Sequence, residues 1–226
     1  MAVFGGTFNP IHLGHLRAAE EVREQLGLDR VYFVPSFIPP HKERFDVVPA
    51  SHRLRMVELA VEANPFFSAS NVELERGGLS FSVDTIRHFQ GRLAPQALYF
   101  VMGADAFREI HTWKDYPLIF ALCHVAVISR PGARSTSLAR LVPVELRGEF
   151  CYDTAVRGYM HTSGNTLRFT PVTKLDISAS AIRGRLRRGR SIRYLVPREV
   201  EEYIGAHGLY RDGEPRGAQE EDAGSR

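Results

Sequence analysis

The sequence contains few lysines, and this scarcity bears on how its positive charge can be used. Only Lys42, Lys114 and Lys174 are lysines among the 29 lysines and arginines, so arginine carries nearly all of the positive charge. Arginine suits planar, bidentate contact with phosphate, although a genome-wide preference for arginine codons explains the same bias. The formal net charge of +3 is too small to indicate nucleic-acid binding by itself.

Cysteines and long apolar runs are also scarce. Cys123 and Cys151 are the only cysteines, which is too few for a disulfide framework or a CxxC metal site. Cys123 lies in an apolar run and is predicted to be a small core residue. The sequence opens without a charged and then apolar leader, and no apolar run is long enough to cross a membrane. These absences favour a cytoplasmic enzyme without a membrane partner.

Apolar runs and amphipathic stretches alternate along the chain, which is typical of βαβ units. A first helix is predicted over Leu13–Leu26, ending at Gly27. Buried strands are predicted over residues 31–34, 97–102 and 125–129. The length of 226 residues suits one domain with a well-buried core. We therefore predict an α/β protein with a Rossmann-like parallel sheet, helices on both faces and a small C-terminal helical part.

The remaining segments complete this organisation. We predict a single domain over residues 1–210, a variable excursion over 133–170 and a disordered tail over 211–226, which is polar and free of aromatic residues. Residues 66–74 alternate like a strand, and Pro197 suits the first position of the last helix. The first strand begins almost at Met1, so either this strand is very short or the chain begins a few residues upstream.

The first fifteen residues combine a short strand, a glycine turn and two histidines at the start of a helix. Residues 2–4 are apolar, Gly5, Gly6 and Thr7 follow, and His12 and His15 are three positions apart. Glycines let backbone N–H groups approach phosphate oxygens, and a helix start adds partial positive charge. Histidines at this spacing can face the same ligand. The combination predicts a phosphate site for nucleotide chemistry, against the alternative that the histidines only cap the helix and pack.

A second candidate anion site lies at the start of a basic helix that extends from Ser178 to Gly189. Ser178 and Ser180 offer hydroxyl and N–H groups, and Arg183 follows one turn later. Alone, this pattern is an ordinary helix cap with a solvent-facing arginine. Together with the first site, it is interpreted as the other half of a triphosphate clamp.

Both motifs resemble those of the HxGH nucleotidyltransferases, and more narrowly those of the bacterial nicotinate-nucleotide adenylyltransferases. The first reads Gly5-Gly-Thr-Phe-Asn-Pro-Ile-His-Leu-Gly-His15 and the second reads Ile177-Ser-Ala-Ser-Ala-Ile-Arg183. The resemblance covers residues 1–130 and 172–210, but neither 133–170 nor the tail. The narrower match also rests on seven shorter segments, which are residues 39–42, 51–56, 81–85, 103–105, Trp113, 129–130 and 196–197.

The resemblance implies a reaction in NAD biosynthesis that joins ATP to nicotinate mononucleotide and releases pyrophosphate. The nucleophile is a phosphate monoester that is already anionic, so the reaction needs no general base and no covalent protein nucleophile. Catalysis then depends on aligning the two substrates and on compensating the negative charge of their phosphates. The residues that the resemblance assigns to ATP are Gly5, Gly6, Thr7, His12, His15, Gly103, Asp105, Ser178 and Arg183.

Among these residues, the resemblance implies that His12, His15 and Arg183 are catalytic, with His15 the first choice for contact with the α-phosphate. Asp105 would accept hydrogen bonds from the ribose of adenosine, and a role in helix capping is the alternative. Mg²⁺ would be carried by ATP with few direct protein ligands, which agrees with the lack of a carboxylate cluster in the motifs.

Four residues are candidates for contact with nicotinate mononucleotide. Ser82 lies at a predicted helix start, whose N–H groups would favour an acid over a neutral amide. Trp113 could stack on the pyridine ring, although a single tryptophan is more often a core residue. Lys42 and Arg130 are candidates for the phosphate of the mononucleotide. Three departures from the family pattern are noted, which are Asn9 in place of Asp, and Ser82 and Ser180 in place of Thr.

Two alternatives remain beside this interpretation. The first is a sibling transferase that acts on nicotinamide mononucleotide or phosphopantetheine. The second is a nucleic-acid-binding module, but aromatic residues are not interleaved with the basic run as a stacking platform would require. We expect ATP and nicotinate mononucleotide as the binding partners and do not expect binding to nucleic acid. The sequence does not determine whether the protein forms a homo-oligomer. The basic run consists of Arg183, Arg185, Arg187, Arg188, Arg190 and Arg193.

Overall fold

A computed structural model describes residues 1–39, 47–93, 97–129 and 142–211. Eight strands in this part of the chain form one sheet in the order β3-β2-β1-β4-β5-β8-β7-β6. The strands are β1 (Ala2–Gly6), β2 (Val31–Pro35), β3 (Phe67–Ala69), β4 (Tyr99–Gly103), β5 (His124–Ser129), β6 (Phe150–Asp153), β7 (Gly158–His161) and β8 (Thr166–Pro171).

Helices connect these strands. The α-helices are α1 (Leu13–Leu26), α2 (Ala50–Val61), α3 (Val72–Arg76), α4 (Ser82–Leu93), α5 (Ala104–Arg108), α6 (Tyr116–Leu122), α7 (Ala179–Arg187) and α8 (Arg198–Ala206). Short 3-10 helices cover Ile110–Thr112 and Val144–Glu149. None of the helices that the structure describes is both long and apolar enough to span a membrane.

The sheet is parallel from β3 to β8 and ends in an antiparallel hairpin. β1 pairs in parallel with β2 on one side and with β4 on the other, so that Ala2 lies opposite both Val31 and Tyr99. β7 runs antiparallel to β8, and β6 runs antiparallel to β7. The Rossmann-like α/β fold is therefore confirmed, with the addition of two antiparallel strands at one edge.

Each face of the sheet is covered by its own apolar core. Phe4 points into the core that also contains residues of α1, α2, α7 and α8, including Val22 and Ile182. Its neighbour Val3 points to the opposite face, where Phe100 packs with residues of α4 and α6 such as Ile86. Adjacent strand residues alternate between faces, so both cores receive side chains from every central strand. The prediction of helices on both faces is confirmed.

Helix α1 has the predicted bounds, and Gly27 ends it in the left-handed conformation with φ of 60°. The prediction of a strand over 66–74 is wrong in its second half, because the main chain hydrogen-bonds differently from Asn71 onward. The Glu75 N–H donates to the Asn71 carbonyl at 2.9 Å, and this bond begins α3. Pro197 is the N-cap of α8 rather than its first helical residue.

The described part of segment 133–170 belongs to the main sheet. Residues 142–170 supply a 3-10 helix and the strands β6, β7 and most of β8, and β8 pairs directly with β5. Leu167 of β8 is fully buried. Residues 133–141 and the predicted tail beyond Arg211 lie outside the described residues. Cys123 is buried as predicted, and Cys151 is exposed.

Replacing Leu167 with Ala should show that β8 is a core strand. We expect the free energy of unfolding to fall by about 2–5 kcal/mol, because the substitution leaves a cavity in the core that Leu167 shares with residues such as Phe120 and Val125. Val144→Ala in the same segment is the control, since Val144 is 69% exposed, and it should change stability by no more than about 0.5 kcal/mol. Urea unfolding followed by circular dichroism measures both. Equal effects of the two substitutions would contradict this placement.

Candidate active site

A cavity of about 620 Å³ opens at the carboxyl ends of β1 and β4. These strands are neighbours in the sheet, while the chain runs from β1 to β2 on one side and reaches β4 on the other. Such a reversal of strand order leaves a crevice at the carboxyl ends, where α/β proteins bind ligands. Five of the predicted ATP residues line this cavity, namely Gly5, His12, His15, Gly103 and Asp105.

The two histidines stack on each other at the start of α1. Their ring centroids are 3.7 Å apart with an interplanar angle of 23°. His12 is the N-cap residue, and its backbone N–H donates to Nδ1 of His15 at 3.2 Å. Because Nδ1 of His15 accepts a backbone hydrogen bond, a neutral His15 ring carries its proton on Nε2. His15 therefore presents an Nε2–H donor at the wall of the cavity.

Burial determines the protonation state of His12. Its side chain is 6% exposed, and burial lowers the pKa of the ring to about 4. The Nδ1 atom is buried and has no hydrogen-bond partner in the described part of the chain. Gly14 permits this arrangement, since a Cβ atom there would lie 3.0 Å from that nitrogen. Burial thus keeps the His12 imidazole neutral at pH 7.

Phe8 is a site residue that the sequence interpretation missed. Its ring meets the edge of the His15 ring at a centroid distance of 5.1 Å, and Phe4 meets it from another side at 6.2 Å. The backbone of Phe8 is left-handed with φ of 47°, which is uncommon for a large side chain. A Cβ atom at Gly6 would lie 3.0 Å from the Phe8 ring, so the turn needs glycine at this position. The sequence signal that could have identified Phe8 was its position directly after Gly5, Gly6 and Thr7.

The second motif lies against the first. Ser178 caps α7, and its Oγ accepts from the Ala181 N–H at 3.2 Å. Arg183 is half-buried and donates from Nη1 to the carbonyl of Asn9 at 2.9 Å, which ties α7 to the segment that precedes His12. Ile177 lines the cavity. Ser178 and Arg183 are brought next to the cavity but do not line it, and the same holds for Gly6 and Thr7 of the turn.

Asp105 lies on the opposite wall, in the first turn of α5. Gly103 is the N-cap of this helix, so the alternative that Asp105 caps it is wrong. Arg108, one turn later, forms a salt bridge with the Asp105 carboxylate, and both side chains are exposed. Arg108 and Lys174 also line the cavity, and neither was predicted as a site residue. Both add positive charge beside a space suited to a polyphosphate.

Two of the four residues predicted for the mononucleotide, Ser82 and Trp113, are described, and Ser82 is the first residue of α4. The Phe81 carbonyl accepts from the N–H groups of Asp84 and Thr85, so the Ser82 N–H belongs to the first turn, where no intrahelical acceptor exists. Lys114 Nζ lies 4.7 Å from the centre of the Phe81 ring and 3.3 Å from Oδ2 of Asp84. Lys114 follows directly after Trp113 in the chain, so its contacts with Phe81 and Asp84 bring the segment after the 3-10 helix Ile110–Thr112 next to α4.

Trp113 is half-buried and packs edge-on against Phe100 at 6.4 Å. The Phe100 ring in turn lies 3.6 Å from the position of a Cβ atom at Gly5. Trp113 therefore stands close to the end of β1 without lining the 620 Å³ cavity. Lys42 and Arg130, the predicted phosphate contacts of the mononucleotide, lie outside the described residues.

Comparison with known proteins extends over nearly the whole chain. Residues 3–185 match the cytidylyltransferase-like family. A protein of Citrifermentans bemidjiense named "Probable nicotinate-nucleotide adenylyltransferase" is 48% identical over 212 residues, which cover 94% of this chain and 98% of the relative. A protein of Geobacter sulfurreducens with the same name is 45% identical over 208 residues, covering 92% and 96%.

A solved structure shares the fold. The Plasmodium falciparum nicotinic acid mononucleotide adenylyltransferase complexed with NaAD superposes with a TM-score of 0.69 at 16% identity, covering 92% of this chain and 96% of that one. The same enzyme complexed with APC gives a TM-score of 0.67. The sequence identity to the bacterial relatives and their full-length coverage establish the relationship. With its stacked histidines at the crevice between β1 and β4, this chain belongs to the nicotinate-nucleotide adenylyltransferase family.

Proposed function

We propose that this protein transfers AMP from ATP to nicotinate mononucleotide, giving nicotinic acid adenine dinucleotide and pyrophosphate. The observation that carries the proposal is the stacked pair His12 and His15 at the helix start that faces the cavity between β1 and β4. A helix N-terminus and two imidazoles form an anion site. Membership of the family supplies the identity of the two substrates.

The reaction is an in-line displacement. An oxygen of the mononucleotide phosphate forms a bond to the α-phosphorus of ATP, and the bond from that phosphorus to the bridging oxygen breaks. The electron pair of the broken bond leaves with pyrophosphate. No proton has to be removed from the nucleophile, so the protein contributes alignment and compensation of negative charge.

Each residue of the clamp has a role in this scheme. The Nε2–H of His15 donates to the α-phosphate, and His12 faces the same anion from the helix cap. Backbone N–H groups of the Gly5–Gly6–Thr7 turn and of the α7 start, at Ser178, hold phosphate oxygens. The Asp105 carboxylate accepts hydrogen bonds from the ribose hydroxyls, either while it keeps its salt bridge with Arg108 or after that salt bridge breaks. Arg183 compensates negative charge on the phosphates and also joins the two motifs.

Mg²⁺ is proposed to enter with ATP and to compensate charge on the triphosphate. The donor set of the cavity fits this mode, because Asp105 is its single carboxylate among the described lining residues. The described residues also contain no group of three or more His, Cys, Asp or Glu side chains able to hold a metal ion. Mg²⁺ keeps several waters and binds readily through substrate phosphates with few protein ligands.

Recognition of the acid is proposed to lie at the start of α4. The Ser82 N–H in the first helical turn suits a carboxylate and not a neutral amide, and Trp113 offers its face to the pyridine ring. Lys42 and Arg130 are proposed to bind the phosphate of the mononucleotide. We further propose that residues 1–210 act as one domain in the cytoplasm, without a nucleic-acid partner.

Pyrophosphate release with different acceptors tests the proposed function directly. Purified protein with ATP and Mg²⁺ should release pyrophosphate with nicotinate mononucleotide and much more slowly with nicotinamide mononucleotide or phosphopantetheine. No release with any of the three would overturn the assignment as a transferase. Faster release with the amide would overturn only the choice of acceptor.

Removal of the His15 ring should nearly abolish turnover. We expect His15→Ala to lower kcat by about 100-fold or more, because it removes a donor to the reacting phosphate. The helix content should stay the same in circular dichroism, since His15 is half-exposed. His207→Ala is the matched control, because His207 is exposed at the end of α8, and it should retain wild-type turnover. Equal activity of the two variants would contradict the role of His15.

The burial of His12 predicts a pH dependence of stability. The unfolded ring has a pKa near 6.5 and the folded one near 4, so between these values only the unfolded chain takes up the proton. Stability is therefore full above pH 6.5 and falls towards pH 4, by up to about 3 kcal/mol from this group. Urea unfolding of wild type and His12→Asn from pH 7.5 to 4 measures it. The variant should lose less stability over this range, and parallel curves would refute the prediction.

A further inference from the structure

Arg53 of α2 is the most deeply buried charged side chain in the described part of the protein, with 1% of its surface exposed. Its guanidinium donates three hydrogen bonds, and every acceptor is a backbone carbonyl. Nη1 donates to Thr7 at 2.9 Å, Nη2 to Phe37 at 3.0 Å and Nε to Val48 at 3.0 Å. Burial lowers the pKa of Arg53 to about 10, so the group remains charged at pH 7.

The three carbonyls belong to three separate segments that meet near the site. Thr7 is in the turn after β1, Phe37 follows β2, and Val48 precedes α2. A trans peptide unit directs its C=O and N–H groups to opposite sides. Since Arg53 holds the Thr7 carbonyl towards α2, the N–H of Phe8 in the same peptide unit points away from α2. Arg53 thus sets the orientation of the turn that is proposed to hold phosphate.

A polar chain continues from Arg53 to the acceptor side of the site. The Phe37 N–H donates to Ser80 Oγ at 2.8 Å. Glu73 is 5% exposed, carries a hydrogen bond from Ser80 and accepts from Thr85 Oγ1 at 2.5 Å. Thr85 lies in the first turn of α4, three residues after Ser82. Arg53, Glu73 and Thr85 in this series of hydrogen bonds are buried, and burial makes their geometry strongly specified.

We propose that Arg53 is a positioning residue that holds the phosphate turn at Thr7 and the segment at Phe37 in one geometry, so that donor and acceptor phosphates meet in line. This proposal rests on the proposed function. An exposed salt bridge at this place would leave both loops free to move, whereas three hydrogen bonds of 2.9–3.0 Å from one buried planar group fix three peptide units together. A displacement of about 1 Å in such a frame can cost about 100-fold in rate.

The test compares Arg53→Lys with Arg55→Met. Lysine keeps the buried charge but lacks the planar fork, so the variant can hold fewer of the three carbonyls. Arg55 lies on the same helix, is 53% exposed in its side chain and pairs only with Glu58 among the described salt bridges. We expect Arg53→Lys to lower kcat by about 10- to 100-fold, with KM for ATP changed less than about threefold. Arg55→Met should match wild type.

Further measurements separate positioning from loss of folding. Rates are given per folded molecule, with the folded fraction obtained by circular dichroism and urea unfolding. Arg53→Ala should regain activity with millimolar methylguanidinium, which a merely unfolded variant would not do. Wild-type kcat per folded molecule in Arg53→Lys would overturn the proposal.

If Arg53→Lys does not fold, the Ser80→Ala variant tests the proposal instead. This substitution removes the acceptor of the Phe37 N–H, which belongs to the same series of hydrogen bonds as Arg53. A KM for nicotinate mononucleotide raised by about threefold or more supports positioning, and unchanged kcat and KM overturn it. Failure of wild-type protein to release pyrophosphate with this acceptor would instead count against the proposed function.

Discussion

The parallel pairing of β1 with both β2 and β4 is the constraint on which the site depends. After β1 the chain crosses to one side of the sheet, and it returns on the other side only with β4. The two crossovers diverge at the carboxyl ends and leave a crevice between them. The carboxyl ends of β1 and β4 reach this crevice directly, so Gly5 and Gly103 both line it although they are far apart in sequence.

The basic groups around the crevice differ in burial, and this difference gives them different roles. Arg53 is charged and nearly inaccessible to solvent, and its hydrogen bonds to three carbonyl oxygens offset the free-energy cost of burying the charge. His12 avoids the same cost, because burial lowers the pKa of its ring and keeps it neutral at pH 7. Arg53 therefore supplies a buried positive charge and fixed geometry, while His12 supplies a neutral imidazole. Exposed groups such as Arg108 and Lys174 contribute weaker, screened attraction.

Local patterns were sufficient for most of the fold and for part of the site. Helix α1, strand β2 and the cap at Ser178 follow from periodicity and capping chemistry that the sequence displays within a few residues. The segment after Phe67 was misinterpreted because the alternation of apolar residues continues while the hydrogen-bond partner changes at Asn71. Nothing local indicates that β8 pairs with β5, since that partner lies about forty residues away and is selected by the sheet.

The same distinction applies to the site. His12, His15 and Gly5 are close in sequence and could be assigned together, and Asp105 could be placed through its motif. Arg53 could not be recognised, because an arginine on a helix next to polar residues looks like a solvent-exposed one. Its role depends on three carbonyls from three segments, and only the tertiary structure brings these together. Long-range contacts of this kind leave no periodic signal.

Position 9 shows how the chain tolerates a departure from the family pattern. Asn9 is 4% exposed, and its Oδ1 accepts from the Tyr210 hydroxyl at 2.9 Å and from the Val48 N–H at 3.3 Å. Both neighbours are donors, and burial raises the pKa of Tyr210 so that its hydroxyl keeps the proton. The position therefore needs an acceptor oxygen, which Asn and Asp both provide.

The amide also spares this region one buried negative charge. An ionised carboxylate buried here would need compensation from Arg53 or Arg183, and the Nε, Nη1 and Nη2 groups of Arg53 already donate to carbonyls. Val48 joins the two systems, because its N–H donates to Asn9 and its carbonyl accepts from Arg53. Tyr210 is thereby connected to the phosphate turn through Asn9, Val48 and the charged Arg53, and the exchange of Asp for Asn leaves this connection intact.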